Sequence, residues 1–200
     1  MNKILAFTFC LIGWFAIIAQ YYLLLETKTV SFMEATIRFF SFFTILTNIM
    51  VAAYFTKRAF KNPFPQNESP GTLTAISVYI VIVGVVYQLV LRSTWSPTGL
   101  QKIVDELLHS AIPVLVLIYW YFYENKYSLH YNLIPKWSVY PLLYLFFILI
   151  RGHFSGFYPY PFINVSELGI LHVLANAILV LIFFIGLSML LIRLGKTIAR

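Results

Sequence analysis

The chain has 200 residues, 60% of them hydrophobic and 10% charged, with a mean hydropathy of +0.83. Soluble domains carry about 25% charged residues, and the deficit here runs the whole length, which excludes a soluble domain on a single anchor. The net charge of +7 does not point to nucleic acid, because Lys and Arg gather at the ends of apolar runs instead of along one groove-like face. Cys10 is the single cysteine, so there is no intrachain disulfide and no cysteine spacing of the metal-binding kind.

A bilayer is crossed by about 20 apolar residues, and the apolar runs divide this chain into six. The first covers residues 4–25. It is longer than the apolar core of a signal peptide and no small-residue cleavage site follows it. The second covers 32–55 and is followed by Lys57, Arg58 and a polar, Pro-rich loop over 61–71. The third covers 72–91, ended by Arg92 and Trp95. The fourth covers 103–123, the fifth 137–150 and the sixth 168–194. No internal repeat and no second domain is visible. The expected fold is all-α, a polytopic membrane bundle of six transmembrane helices forming one domain over 1–200.

Basic residues orient such a bundle. With a cytoplasmic N-terminus, Lys3, Lys57, Arg58, Lys61, Lys126, Lys136, Arg193, Lys196 and Arg200 fall inside, and Lys28, Arg38, Arg92, Lys102 and Arg151 fall outside. The excess predicts both termini in the cytoplasm. Trp95, Trp120, Trp137 and the tyrosines at 119, 121 and 123 sit near span ends, where aromatic rings settle at the headgroup level.

Polar residues within the spans carry what functional information there is. On one helix Arg38, Ser41, Thr44 and Asn48 recur at steps of three and four and share a stripe. Such a stripe faces protein or a water-filled cavity in preference to lipid. The fourth span carries Asp105, Glu106 and His109, again three and four apart, with Pro113 removing the backbone donor that would bond the His109 carbonyl. Ser41, Thr44 and His109 fall in the outer half of the bilayer, and Asn48 lies deeper, near its middle. A hydroxyl from Thr44 or Ser41, the His109 imidazole and a carboxylate from Asp105 or Glu106 form the elements of an activated nucleophile. Arg38 and Asn48 are candidate oxyanion donors. Tyr87 and Gln88 read as structural. His109, His153 and His172 show no ligand spacing, so no metal and no cofactor is expected. The aromatic segment 151–164, with two glycines and two prolines, reads as an interfacial plug or as a lid over the pocket.

The run Phe-Phe-Ser-Phe-Phe-Thr-Ile-Leu-Thr-Asn at 39–48, Leu-Leu-His-Ser-Ala-Ile-Pro at 107–113, Tyr-Pro-Leu-Leu-Tyr at 140–144, Arg-Gly at 151–152 and Tyr-Pro-Tyr-Pro-Phe at 158–162 together resemble the bacterial predicted six-span integral membrane proteins. More distantly they resemble the eukaryotic androgen-induced family of membrane threonine hydrolases. The resemblance implies a bacterial inner (plasma) membrane location. Through the distant relatives it implies a hydrolase of lipid esters with an intramembrane threonine and histidine. The histidine falls on His109, and the threonine on Thr44 or, with serine in its place, on Ser41. Membrane lipids and a lipid-ester substrate are the expected partners, with no nucleic acid; the oligomeric state is open. The rival classes are a non-enzymatic binding or scaffold protein and a small-solute transporter.

Overall fold

The computed structural model describes residues 3–60, 69–94 and 96–199. Most of the expected Pro-rich loop, the inner charges Lys61 and Arg200, and Trp95 lie outside the described residues. Every regular element is helical, with no strand among the described residues. Five helical segments are long and apolar enough to cross a membrane: Lys3–Glu26, Thr72–Thr94, Gly99–Tyr123, Tyr131–Ser155 and Ile170–Ile198. The chain divides into two compact units, Met1–Asn125 and Lys126–Arg200, each described by itself below.

The first unit is built on α1 (Lys3–Glu26), α2 (Phe32–Phe39), α3 (Phe43–Phe60), α4 (Thr72–Val86), α5 (Gly99–Glu106) and α6 (Ile112–Tyr123). Small residues let α1 and α3 approach closely. A Cβ on Gly13 would lie 3.1 Å from the Cβ of Ala52, and Ala6, Cys10 and Ala16 are buried on the same helix. Below that contact Phe9, Phe55 and Tyr119 pack edge to face, with ring centroids 5.1 Å apart for Phe9–Phe55 and 4.9 Å for Phe55–Tyr119. Thr56 adds a polar tie: its hydroxyl donates to the Ala52 carbonyl and accepts from the Trp14 indole at 3.0 Å. The helix that begins with α4 is the most enclosed of the apolar segments, with 67% of its apolar window buried against 33% for α1.

The second expected span is not one helix. α2 and α3 meet at a bend of 70°, and they make a sixth membrane-crossing segment only if the bent pair counts as one. Both ends of α2 are marked by local hydrogen bonds. Ser31 caps α2 by accepting from the Glu34 N–H at 3.3 Å, in the Ser-x-x-Glu pattern of a helix start. At the other end the backbone tightens to three-residue bonds, Ser41 N–H to Arg38 at 3.0 Å and Phe42 N–H to Phe39 at 3.3 Å. The Ser41 hydroxyl donates back to the Ile37 carbonyl at 2.7 Å, the kind of side-chain bond that bends helices. The segment α2 is then tied to α1 by Tyr21 and Thr36, whose oxygens are 2.7 Å apart.

Glu124, just beyond α6, holds the start of α4. One carboxylate oxygen accepts from the Thr74 N–H at 2.8 Å and the Thr74 hydroxyl at 2.7 Å, and the Trp120 indole donates to that hydroxyl at 2.8 Å. A carboxylate at a helix N-terminus is favourably placed against the helix dipole. Burial nonetheless pushes the Glu124 carboxyl above the ordinary carboxylate range, with the Thr74 and Asn125 bonds and the Arg58 charge opposing the shift.

The second unit carries α7 (Ile134–Ser155), α8 (Val165–Leu168) and α9 (Ile170–Ile198). The fifth span is longer than the expected 137–150, because Pro135 occupies a first-turn position that needs no N–H donor. Between α7 and α9 the aromatic segment is folded onto its own helices. Gly152 leaves room for the Tyr158 ring, which a Cβ there would overlap. The Arg151 guanidinium lies 4.9 Å from the centre of the Phe157 ring, and the Asn176 amide donates to the Phe162 carbonyl at 2.8 Å. Tyr160 and Ile163 are buried. The outward faces of α7 and α9 are apolar and exposed, as at Phe146, Phe154, Leu171 and Leu179.

Candidate functional site

Two turns of π-helix mark the polar centre of the first unit. One, Tyr87–Leu91, continues α4; the other, Leu107–Ala111, joins α5 to α6. Single π turns inside α-helices concentrate at functional sites. The second has a visible cause. Pro113 has no N–H to give, and Ile112 bonds back five residues to Leu107. The Leu108 carbonyl is therefore left without a donor from its own helix. Asn48 supplies one from α3, at a long 3.4 Å, while the same amide nitrogen donates to the Thr44 carbonyl at 2.8 Å. Gly84 makes room on the other side: a Cβ there would sit 3.0 Å from the His109 carbonyl oxygen and 3.3 Å from Pro113.

His109 is held by Asp105. Its Nδ1 is 3.0 Å from the Asp105 carbonyl oxygen and 3.2 Å from Asp105 Oδ1. Both neighbours are acceptors, so in the neutral imidazole the hydrogen-bond network assigns the proton to Nδ1 and the lone pair to Nε2. No described residue hydrogen-bonds to Nε2. The Tyr87 ring stacks on the imidazole, with centroids 4.1 Å apart and planes 14° apart, and its hydroxyl donates to Asp105 Oδ2. The pair is sheltered, with side-chain exposures of 14% for His109 and 8% for Asp105.

Around it runs a closed polar ring. Arg92 donates to Glu106 at 2.5 Å and to Gln88 at 2.8 Å; Gln88 donates to Ser110 at 2.8 Å; Ser110 donates to Glu106 at 2.6 Å. Gln88 lies on the first π turn and Ser110 on the second, so the ring staples them together. Of the two carboxylates expected beside His109, Asp105 takes the imidazole, while Glu106 turns to Arg92 and Ser110.

The hydroxyl stripe is divided by the bend. Thr44 and Asn48 sit one turn apart on α3, both buried. Because Asn48 bonds both carbonyls, those of Thr44 and Leu108 lie close together, which brings the Thr44 turn beside the turn preceding His109. Ser41 is buried within the break. Arg38 is on α2, where its guanidinium pairs with Glu34 at 2.7 Å. The single Asn48 nitrogen serves two carbonyls, while its Oδ1 is buried with no hydrogen-bond partner among the described residues.

Tyr87, Gln88, Arg92 and Ser110 were not singled out as site residues by periodicity. The signal was present as Tyr87, Gln88 and Arg92 near the end of an otherwise apolar run. A step of 3.6 residues does not align Tyr87 with Arg92, and the π turn does. Among the described residues no three His, Cys, Asp or Glu side chains converge as a metal site. A partly open cavity of about 200 Å³ lies at the turn between α1 and α2, lined by Thr27, Lys28, Phe32 and neighbours, and none of the residues above lines it. No protein-family profile, curated protein or solved structure matches this chain.

Proposed function

We propose that the chain is a six-span protein of the bacterial plasma membrane, with both termini cytoplasmic, that hydrolyses a lipid or acyl ester within the outer leaflet half. The observation that carries this reading is the state of His109: Asp105 engages Nδ1, and Nε2 is left open in a sheltered setting. That is how a general base is presented to a hydroxyl nucleophile. Thr44 is the nucleophile of choice, because the Asn48 amide bonds both its carbonyl and that of Leu108, which sets its turn beside the turn preceding His109.

In the reaction the Thr44 hydroxyl oxygen attacks the ester carbonyl carbon as its proton passes to Nε2 of His109. The tetrahedral intermediate collapses by breaking the bond to the alcohol oxygen, which takes the proton from Nε2. Water then cleaves the acyl-threonine by the same two steps and restores the hydroxyl. Asp105 stabilises the imidazolium that forms in between. The oxyanion falls to Arg38, or to Asn48 once its amide releases one carbonyl. The resemblance to six-span membrane proteins and to the androgen-induced hydrolases belongs to this reading.

Hydrolysis of a fluorogenic long-chain acyl ester by the purified protein in lipid nanodiscs tests it. Turnover that falls by about a hundredfold or more in His109→Gln, in line with loss of a general base, is the expected result. Turnover equal to that of empty nanodiscs overturns it. The closed ring of Gln88, Ser110, Glu106 and Arg92 favours a second reading, a binding or scaffold protein in which the polar cluster only joins two helices.

A further inference from the structure

We infer that Tyr87 is a positioning residue that fixes the tautomer and the plane of His109, and that the ring of Gln88, Ser110, Glu106 and Arg92 holds Tyr87 in register for that task. The inference rests on reading His109 as a base, but it concerns the imidazole itself and is measurable without turnover.

Tyr87 touches the pair in two ways at once. Its face covers the imidazole at 4.1 Å and 14°, which restricts rotation of the ring about its bond to the side chain. Its hydroxyl donates to Asp105 Oδ2, which leaves Oδ1 turned toward His109 Nδ1 at 3.2 Å. Without that donor the carboxylate is free to rotate, and Nδ1 keeps only the Asp105 main-chain oxygen. Losing one of the two Nδ1 acceptors weakens the preference for a proton on Nδ1, so the other neutral tautomer gains population, and a base with its proton on Nε2 cannot accept one there.

Tyr87 could not reach the imidazole in this way if either helix rotated by one residue. Both groups lie on π turns, and the ring of four side chains spans those turns. Arg92 also lies over the Tyr87 ring, 5.9 Å from its centre. The charged and titratable groups around His109 on these two helices are thus Asp105 and Tyr87 in direct contact, with Glu106 and Arg92 paired to each other beyond them.

The test is nitrogen NMR of the full chain in lipid nanodiscs, with ¹⁵N-labelled histidine, at a pH where the imidazole is neutral. The His109 signals are assigned by their loss in His109→Gln. The wild-type protein should show one N–H-type and one bare-type nitrogen, a single tautomer. Tyr87→Phe keeps the ring and its packing, so the fold is retained, and should bring in the second tautomer. Asp105→Asn, which replaces an acceptor, is the positive control. An unchanged pair of His109 signals in Tyr87→Phe, with the control shifted, overturns the inference. This readout is independent of catalysis, so an inactive protein with the expected shift contradicts only the hydrolase reading.

Discussion

Asn48 on α3 donates to the carbonyl of Leu108, which the π turn and Pro113 together leave without a donor in its own helix. The contact links the hydroxyl-bearing helix to the turn that carries the imidazole. It also explains a buried asparagine in an apolar bundle without invoking catalysis. Leaving a buried carbonyl unsatisfied costs about 1–3 kcal/mol, so Asn48→Leu should destabilise the protein by roughly that amount. Pro113→Ala supplies an N–H that the Leu108 carbonyl can take five residues on. The double variant should therefore lose less than the sum of the two single changes. Thermal unfolding in detergent measures all three.

Gly84 faces the same turn from α4. A methyl group there would stand 3.0 Å from the His109 carbonyl oxygen, and a backbone carbonyl cannot swing aside as a flexible side chain can. Gly84→Ala is expected to cost about 1–3 kcal/mol through overpacking. It should also displace the second π turn, which a change in the His109 nitrogen shifts reports.

Glu124 sets a pH dependence of stability with a defined sign. Burial raises its pKa above the ordinary carboxylate value, so in the interval between the two the native state holds a proton that the unfolded chain has released. Stability then falls as pH rises through that interval and levels off above the native pKa. Glu124→Gln carries no titrating proton at this position and should flatten the slope. Melting temperature against pH for the two proteins checks it, and parallel curves contradict the assignment.

Much of this fold is legible in the residues. Apolar length marks α1, the α4 and α5–α6 segments, α7 and α9, and the charge deficit marks the class. The bend between α2 and α3 is not legible, because residues 32–55 hold no internal proline or glycine, and the bond from Ser41 to its own backbone at the break also occurs at Ser77 and Ser188 in helices that continue. The Asp105–His109 pairing follows from a spacing of four. Its outer partners do not, since a π turn shifts the helical phase by one residue. That shift is what joins Tyr87 to His109 and Gln88 to Ser110.

The central claim is that Thr44 and His109 act as nucleophile and base. Labelling of membranes by a fluorophosphonate probe, with the modified residue located by mass spectrometry, tests it most directly. The account predicts a phosphonylated Thr44 in the wild-type protein, retained in Ser41→Ala and lost in Thr44→Ala and His109→Ala. Labelling that persists in both of those last variants, or no labelling of the wild-type protein, contradicts it.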